Sequence, residues 1–230
     1  MTLKEIPMSL FDNVSLFQGL SPLILQKIEQ RGIKRTYPKK SIPFVEGQGS
    51  DGIYIILSGL IKVMKLHDDG REKTLAILGP GEILGEMTLT EETLRSATAE
   101  ALELTTVLAI SREDFLGLLA EMPELSYRII NLLSTRLRQT NQQIEELIFL
   151  NARSRVINNL LNLVHKQGMH KNGSFYLPIK LTHSELAKLI GVSRETVTKV
   201  FAELQDNNLI YLDGKEIHIT NLEALQKEII

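Results

Sequence analysis

The spacing of hydrophobic residues changes character along the chain. From about residue 33 to 110, short apolar or alternating runs are separated by glycine-containing turns, a pattern typical of short antiparallel strands in a sandwich or barrel. The runs are Ile53–Leu57, Leu60–Leu66, Lys73–Leu78, Ser96–Leu102 and Leu104–Ile110. Short helices are expected over residues 9–31, and two more begin near Ser111 and Pro123. The pattern predicts an α+β protein whose first domain is an antiparallel β-sandwich or β-barrel.

A long uninterrupted helix is predicted from about Glu124 to Leu150. Its apolar side chains follow the 3–4 repeat of a two-stranded coiled coil. The seam consists of Ile130, Leu133, Leu137, Ile144 and Leu147. Thr140 fills the remaining seam position, either as a polar residue that sets the register or as a ligand contact shared by two subunits. Because little else in the chain could cover this stripe, we expect a homodimer.

Residues 181–211 predict two short helices joined by a tight turn. Thr182 and Glu185 have the spacing of a capping box at the start of the first helix. Gly191 supplies the turn conformation that a side chain would resist, and Ser193 is a favourable N-cap for the second helix. The second helix has an apolar stripe formed by Val197, Val200, Phe201 and Leu204.

The opposite side of the second helix presents Arg194, Glu195 and Lys199 near its start. Arginine or lysine can donate to O6 and N7 of guanine, and glutamate can accept from N4 of cytosine, so this helix suits a DNA major groove. Two β-prone runs follow around Asp213-Gly214, a strong hairpin signal. Helix, turn, helix and hairpin in this order predict a winged helix-turn-helix that binds double-stranded DNA.

Composition narrows the class of protein further. The 230 residues are 43% hydrophobic, which allows two domains with proper cores. No run approaches the roughly 18 apolar residues of a membrane span, and the N-terminus lacks the features of a signal peptide, so a cytoplasmic protein without a membrane partner is expected. The absence of cysteine excludes disulfides and thiolate metal sites. No catalytic triad, P-loop or carboxylate pair is evident, so neither an enzyme nor a metal site is expected.

Charge is distributed unevenly. Residues 151–230 carry ten Lys and Arg against eight Asp and Glu, whereas residues 1–150 carry 16 against 20. The basic surplus of the DNA-binding region is therefore small. We expect a modest non-specific contribution from phosphate contacts, which weakens as salt rises.

A second constellation lies in the predicted β-domain, in the segments 81–87 (GEILGEM) and 94–98 (LRSAT). Glu86 offers a carboxylate to sugar hydroxyls. Arg95 offers a fork of donors to a phosphate, and the Ser96 hydroxyl adds another. From the residues alone, an ordinary surface turn and a strand residue remain the alternative.

The motif GVSRETV at 191–197, followed by LQDNNLI at 204–210, resembles the DNA-binding domain of the cyclic-AMP receptor protein and fumarate–nitrate regulator (CRP–FNR) superfamily. The resemblance covers nearly the whole chain. It implies an effector-sensing β-sandwich of the jelly-roll type at 1–120, a dimerisation helix at 121–150 and a winged helix-turn-helix at 151–230. It also implies RNA polymerase as a partner, contacted through an exposed loop at Lys166–Ser174.

The resemblance assigns roles to the DNA-binding residues. Arg194 and Glu195 would read the inner G·C pairs of a TGTGA-like half-site. Lys199 would read an outer guanine where the family has a second arginine, and it lacks the arginine fork. Thr182 and Ser193 would contact phosphates. A dimer would read two half-sites about 34 Å apart.

The nine-residue separation of Glu86 and Arg95 is similar to that in the phosphate-binding cassette of cyclic-nucleotide-binding domains. The resemblance implies that Glu86, in the pair Gly85-Glu86, binds a ribose 2′-hydroxyl, and that Arg95 and Ser96 bind the cyclic phosphate. The helix residues assigned to the effector are Arg136 near the phosphate and Thr140 and Asn141 at the adenine.

Two departures from the family pattern bear on the effector. Asn141 replaces a serine, and Lys40-Ser41 lies where the family usually has a turn glycine. Cyclic AMP is the first expectation, and another small effector or none at all are the alternatives. A third alternative is a nucleotide-binding module whose C-terminal domain binds protein instead of DNA.

Overall fold

The computed structural model of the protein describes residues 11, 14–89, 94–171, 174–177, 181–214 and 216–229. The chain divides into two compact units, Met1–Arg136 and Leu137–Ile230. The boundary between the two units lies inside one long helix, so each unit contains part of that helix. Among the helices of the described ranges, none combines the length and apolar character that crossing a bilayer requires.

The first unit contains two antiparallel sheets. Its strands, within the described residues, are β1 (Gly32–Tyr37), β2 (Ile53–Ser58), β3 (Ile61–Leu66), β4 (Glu72–Leu78), β5 (Ile83–Leu84), β6 (Thr98–Ala101) and β7 (Thr105–Ile110). One sheet has the order β1-β7-β2-β5 and the other β4-β3-β6. This arrangement confirms the predicted sheet-rich first domain.

Helices complete the first unit: α1 (Pro22–Gln30), α2 (Arg112–Glu121) and the start of α3 (Pro123–Phe149). The hydroxyl of Ser21 caps α1 and that of Ser111 caps α2, as serine does at positions that leave backbone N–H groups unpaired. On α3, Arg128 donates to the carbonyl groups of Leu16 and Gln18, which ties this helix to the N-terminal 3₁₀ turn.

Strand β2 is buried on both faces. Ile53 and Ile55 lie in a cluster with helical residues such as Phe115, whereas Tyr54 and Ile56 lie in a second cluster with residues of the smaller sheet. Successive side chains of a strand point to opposite faces. One set of alternate β2 residues therefore packs against the helical layer, and the other set packs in the interior of the sandwich.

The turn after β1 shows how the chain manages without the expected glycine. Lys40 has φ 69°, in the left-handed region that glycine adopts more easily. Its backbone N–H donates to the carbonyl group of Ala101 at 2.7 Å, and that of Ser41 donates to Pro38 at 3.1 Å. The lysine thus adopts the glycine-like turn at some conformational cost.

Helix α3 exposes the predicted seam within one chain. Its members Ile130, Leu133, Leu137, Ile144 and Leu147 are between 37% and 63% exposed. Ile148 and Phe149 extend the apolar surface at the end of the helix, with exposures of 68% and 74%. The prediction of a homodimer continues to rest on this stripe.

The second unit contains a helical layer and one sheet. Its further helices are α4 (Ala152–Gln167), α5 (His183–Ile190), α6 (Arg194–Asp206) and α7 (Leu222–Lys227). Its strands are β8 (Met169–Lys171), β9 (Ser174–Leu177), β10 (Ile210–Asp213) and β11 (Glu216–Ile219), in the order β10-β11-β9-β8. The predicted stripe of α6 is buried, and so are apolar residues of α4: Val197, Val200, Phe201 and Leu204, and Val156, Ile157, Leu160, Leu161 and Val164.

One prediction about the strands of the second unit is wrong and another is confirmed. An exposed loop was predicted over Lys166–Ser174, but α4 continues to Gln167 and β8 pairs with β9, with Met169 opposite Tyr176. Within that loop, Asn172 and Gly173 lie outside the described residues. The predicted hairpin around Asp213-Gly214 is confirmed, because β10 pairs with β11, and it forms part of a four-stranded sheet. Strand β1 was not predicted, because its largely exposed, polar sequence lacks a hydrophobic alternation.

Gly52→Ala should destabilise the first unit by at least about 2 kcal/mol. Gly52 has φ 132°, and a Cβ there would lie 2.1 Å from the carbonyl oxygen of Ile110, a backbone atom that cannot easily move. Gly49→Ala is the matched control, because no described heavy atom lies within 4 Å of its Cβ position. Urea unfolding measures the difference, and equal midpoints for the two variants would contradict this close approach.

Candidate effector and DNA-binding sites

Arg95 is the most deeply buried cation of the first unit's candidate site, with 2% of its surface exposed. Its backbone N–H donates to Gln48 and its carbonyl accepts from Gly47, both at 2.8 Å, which fixes the start of the side chain. The guanidinium carbon lies 4.1 Å from the ring centroid of Phe44 and 5.3 Å from that of Tyr54. Cation–π attraction therefore offsets part of the cost of burying this charge.

The guanidinium nitrogens of Arg95 differ in their hydrogen bonding. Nη2 donates to Asp51 Oδ1 at 2.6 Å, whereas Nε and Nη1 are buried without a hydrogen-bond partner among the described residues. A Cβ at Gly85 would lie 2.2 Å from Nη1, so the glycine is what allows the guanidinium to occupy this place. Buried donors without partners are costly, which makes these two nitrogens a place for a ligand's acceptor oxygens.

Asp51 is the counterion of this cluster. Besides Arg95, it accepts from Arg35 Nη1 at 2.8 Å and from the Tyr54 hydroxyl at 2.8 and 2.9 Å. Burial alone would raise its pKa, but the hydrogen bonds from Arg35, Tyr54 and Arg95 together hold the pKa below its ordinary value. Asp51 is therefore a carboxylate at neutral pH.

Glu86 is buried, with 6% of its surface exposed, and is held by an ion pair. Its Oε1 lies 2.5 Å from Nη1 of Arg136, which also donates to the backbone carbonyl of Ile83. Arg136 belongs to α3, so this pair connects the cassette to the long helix within the first unit. A sugar hydroxyl that donates to Glu86 would share the carboxylate with Arg136.

The other predicted effector residues, Ser96, Thr140 and Asn141, are exposed. The exposed Ser96 donates its hydroxyl proton to Met87 Sδ at 3.3 Å, a weak acceptor that a phosphate oxygen would readily replace. Thr140 and Asn141 are exposed on the part of α3 that belongs to the second unit. Their roles at a purine stay predictions. The structure thus brings Gly85, Glu86, Arg95 and Arg136 into one cluster of the first unit.

Sequence reasoning missed Asp51, Arg35 and Tyr54. Arg35 lies on the unpredicted strand β1, and Tyr54 reads as one more apolar residue of β2. Asp51 stands next to a glycine, where a carboxylate usually indicates only a turn. The contacts that join these three to Arg95 arise from the pairing of β1, β7 and β2, which no local pattern reveals.

In the second unit, the helix-turn-helix begins with the predicted capping box. Thr182 Oγ1 accepts from the Glu185 N–H at 3.2 Å, and Glu185 Oε2 accepts from the Thr182 N–H at 2.7 Å. Gly191 ends α5 with φ 81°, and Ser193 caps α6 by accepting from the Thr196 N–H at 3.1 Å. These contacts explain locally why the segment folds as two helices.

The five predicted DNA contacts, Thr182, Ser193, Arg194, Glu195 and Lys199, are all exposed. Hydrogen bonds from the residue's own backbone N–H and from the Ser193 hydroxyl hold the pKa of Glu195 below its ordinary value, so its carboxylate is ready to accept from cytosine. The hydroxyls of Thr182 and Ser193 are engaged in the caps. Their phosphate contacts remain predictions.

Comparison with known proteins matches a domain family to each unit of the chain. A family model described as the cyclic nucleotide-binding domain matches residues 34–122, and one described as the Crp-like helix-turn-helix domain matches residues 154–228. The CRP-like cAMP-activated global transcriptional regulator of Mycobacterium tuberculosis is 32% identical, over 92% of this chain and 95% of the relative. The chain belongs to the CRP–FNR family of transcription regulators.

The names of further CRP–FNR relatives refer to different effectors. The cyclic AMP receptor protein of Thermus thermophilus is 36% identical, over 92% of this chain and 95% of the relative. The structure of the c-di-GMP responsive global regulator CLP of Xanthomonas campestris matches with a TM-score of 0.74 and 27% identity, over 87% of this chain and all of that chain. Members of the CRP–FNR family regulate transcription and are not enzymes.

The carboxyl group of Asp51 should titrate below the ordinary range of aspartate. Because its folded pKa is lowered, its contribution to stability is present above the unfolded pKa and is lost as pH falls through the folded pKa. Arg35→Gln removes the largest lowering hydrogen bond and should move the pKa upward. Carboxyl ¹³C shifts measure both, with Lys34→Gln on the same strand as the control. An unchanged titration in Arg35→Gln would be inconsistent with the described contact.

Proposed function

We propose that this protein is a homodimeric, sequence-specific DNA-binding regulator controlled by a small effector that carries a phosphodiester, with cyclic AMP as the first candidate. The observation that carries the proposal is the buried guanidinium of Arg95, two of whose nitrogens lack partners among the described residues. A phosphate supplies acceptor oxygens for such donors, and a hydrogen bond between a guanidinium and a phosphate is charge-assisted and therefore strong.

The charge of the cluster favours a singly charged ligand. The guanidinium groups of Arg35, Arg95 and Arg136 face the carboxylates of Asp51 and Glu86, which leaves one positive charge in excess. A cyclic mononucleotide carries one negative charge, and its free ribose hydroxyl is a donor suited to Glu86. The names of the Mycobacterium and Thermus relatives support cyclic AMP, and that of CLP makes c-di-GMP the second candidate.

Homodimerisation is supported by the exposed apolar seam of α3. Five large aliphatic side chains recur on one stripe and remain at least 37% exposed in the single chain. Apolar stripes of this length at coiled-coil spacing are normally buried against a second helix. A two-fold axis through this seam would relate two α6 helices, which then read a palindrome with half-sites about 34 Å apart.

The effector acts by binding one dimer arrangement better than the other, and it can shift the equilibrium only by that difference in affinity. The Glu86–Arg136 ion pair is one contact through which the effector affinity of the two arrangements can differ. A ribose hydroxyl at Glu86 shares a carboxylate with Arg136 of α3, the helix that carries the seam. Contacts of Thr140 and Asn141 with the base, from both subunits, would add to it. RNA polymerase is the partner through which the bound dimer acts on transcription.

Arg95→Leu should abolish the effector response while dimerisation survives. Truncating one partner of a buried charged contact costs about 2–5 kcal/mol in binding, or at least about thirtyfold in affinity. The fold should tolerate the change because Asp51 keeps Arg35 and Tyr54 as donors. Calorimetry with cyclic AMP, cyclic GMP and c-di-GMP measures the loss and identifies the effector. The control is Arg71→Leu at an exposed turn, and undiminished binding by Arg95→Leu would rule out the cassette.

Arg194→Ala should weaken operator binding by about 1–3 kcal/mol per half-site and relax the choice of base at one position. Titration of a TGTGA-containing palindrome and of its single-base variants, followed by fluorescence anisotropy, measures both effects. Lys227→Ala on α7 removes a cation outside the recognition helix and should leave base selectivity intact. Unchanged affinity and selectivity in Arg194→Ala would show that α6 does not read the bases through this residue.

A further inference from the structure

The carboxylate of Glu203 lies on α6 one helical turn after Lys199, a cation proposed to read a base. Residues four apart on a helix are neighbours on its surface, and a lysine and a glutamate at this spacing can form an ion pair. In the part of the chain that the structure describes, the exposed Lys199 forms no salt bridge with Glu203. Another contact therefore holds this carboxylate.

Arg153, the second residue of α4, makes that contact. Its Nε and Nη2 both donate to Oε1 of Glu203, at 2.9 and 2.7 Å. These hydrogen bonds are the largest cause that holds the pKa of Glu203 below its ordinary value, and the charge of Lys199 contributes less. Glu203 is therefore a carboxylate at neutral pH, and its partner lies on α4 and not on its own helix.

The guanidinium of Arg153 is held from its other side as well. Its Nη1 donates to the backbone carbonyl of Glu228 at 2.8 Å, and its Nη2 also forms an ion pair with the carboxylate of Glu228. Glu228 follows the last residue of α7, and α4 packs against both α6 and α7. Because α7 also holds the guanidinium, any movement of the Glu203 carboxylate towards Lys199 stretches its bonds to Arg153.

Without Arg153, the Glu203 carboxylate would act against DNA binding in two ways. Its side chain is 39% exposed, so it would remain ionised in contact with water. Lysine carries a point charge on a flexible stem, so Lys199 could turn back to pair with the carboxylate and leave its acceptor on the DNA. The carboxylate would also lie uncompensated beside the anionic duplex. A carboxylate that Arg153 holds does neither.

We propose that Arg153 is a positioning residue for DNA recognition, which holds the Glu203 carboxylate against α4 and thereby keeps Lys199 free to bind DNA. The inference rests on the proposed function, in which α6 enters the major groove. It assigns a determinant of operator affinity to α4, outside the helix that meets the bases. Loss of Arg153 should weaken DNA binding, and loss of the Glu203 charge in addition should restore it. A residue that only ties two helices together cannot be rescued by removing its partner.

The test measures binding of the full-length protein to a duplex that the wild-type protein selects from a random pool, by fluorescence anisotropy at constant salt. Arg153→Gln should weaken binding at least about fourfold for an operator with two half-sites, because an ion pair at this helical spacing sequesters Lys199 by about twofold at each. Glu203→Gln should bind at least as tightly as the wild-type protein. The double variant Arg153→Gln/Glu203→Gln should bind as tightly as Glu203→Gln alone.

Two comparisons separate positioning from a general effect of charge or stability. Lys227→Gln on α7 removes the same charge as Arg153→Gln, and its effect should simply add to that of Glu203→Gln, because the two sites share no contact. In a Lys199→Gln background, Arg153→Gln should cause little further loss, since its effect passes through Lys199. Urea unfolding of each variant monitors the fold. Glu203→Gln changes a partly exposed side chain, so it tests the inference even where Arg153→Gln does not fold.

The outcomes distinguish this inference from the proposed function. If the wild-type protein bound a scrambled duplex as tightly as the selected one, both would be wrong. If Lys199→Gln weakened operator binding but Arg153→Gln bound like the wild-type protein, only the inference would be wrong. The same conclusion would follow if the double variant stayed as weak as Arg153→Gln, or if Glu203→Gln alone weakened binding as much, because Arg153 would then be a structural tie between the helices.

Discussion

The ion pair between Arg95 and Asp51 is the interaction on which the effector site depends. Burying a guanidinium is costly, and the protein offsets the cost with one carboxylate and two aromatic faces. It does so while leaving Nε and Nη1 without partners among the described residues, at a typical cost of about 1–3 kcal/mol for each. A ligand oxygen that satisfies these donors removes that cost, so binding should also stabilise the fold by mass action.

The surrounding β-structure explains how such a charge can be held in place. Strand β2 is covered by helices on one face and by the second sheet on the other, so the strand that carries Tyr54 is packed in both clusters. At two glycines, neighbouring groups approach the backbone more closely than a Cβ atom would allow. Gly52 lets the chain pass the carbonyl of Ile110, and Gly85 leaves space for Nη1 of Arg95. Core strands form the walls of the site, and the two glycines allow a backbone carbonyl and a guanidinium to pack closely within them.

Local patterns were sufficient for the helix-turn-helix and insufficient for the cassette. Thr182, Glu185, Gly191 and Ser193 act within a few residues of themselves, so their spacing alone predicted the caps and the turn that the structure contains. Asp51 acts on Arg95, 44 residues away, through a register that only the assembled sheets define. Strand β1 was not predicted for a related reason. It is an edge strand with polar faces, so it is stabilised by pairing with β7 and not by a hydrophobic pattern of its own.

The two ends of the cluster suit different parts of a nucleotide and have different consequences. The Arg95–Asp51 pair lies among strands, so a phosphate bound there gains affinity without requiring any helix to move. The Glu86–Arg136 pair instead includes a residue of α3, the helix that carries the exposed seam. In the proposed dimer, an anion with no sugar hydroxyl should therefore occupy the site and change the arrangement of the subunits little, whereas a ribose that competed for Glu86 would change the contacts of the helix. Affinity and activation are thus separable in this fold, because the donors that hold the ligand and the ion pair that can transmit its presence lie on different elements.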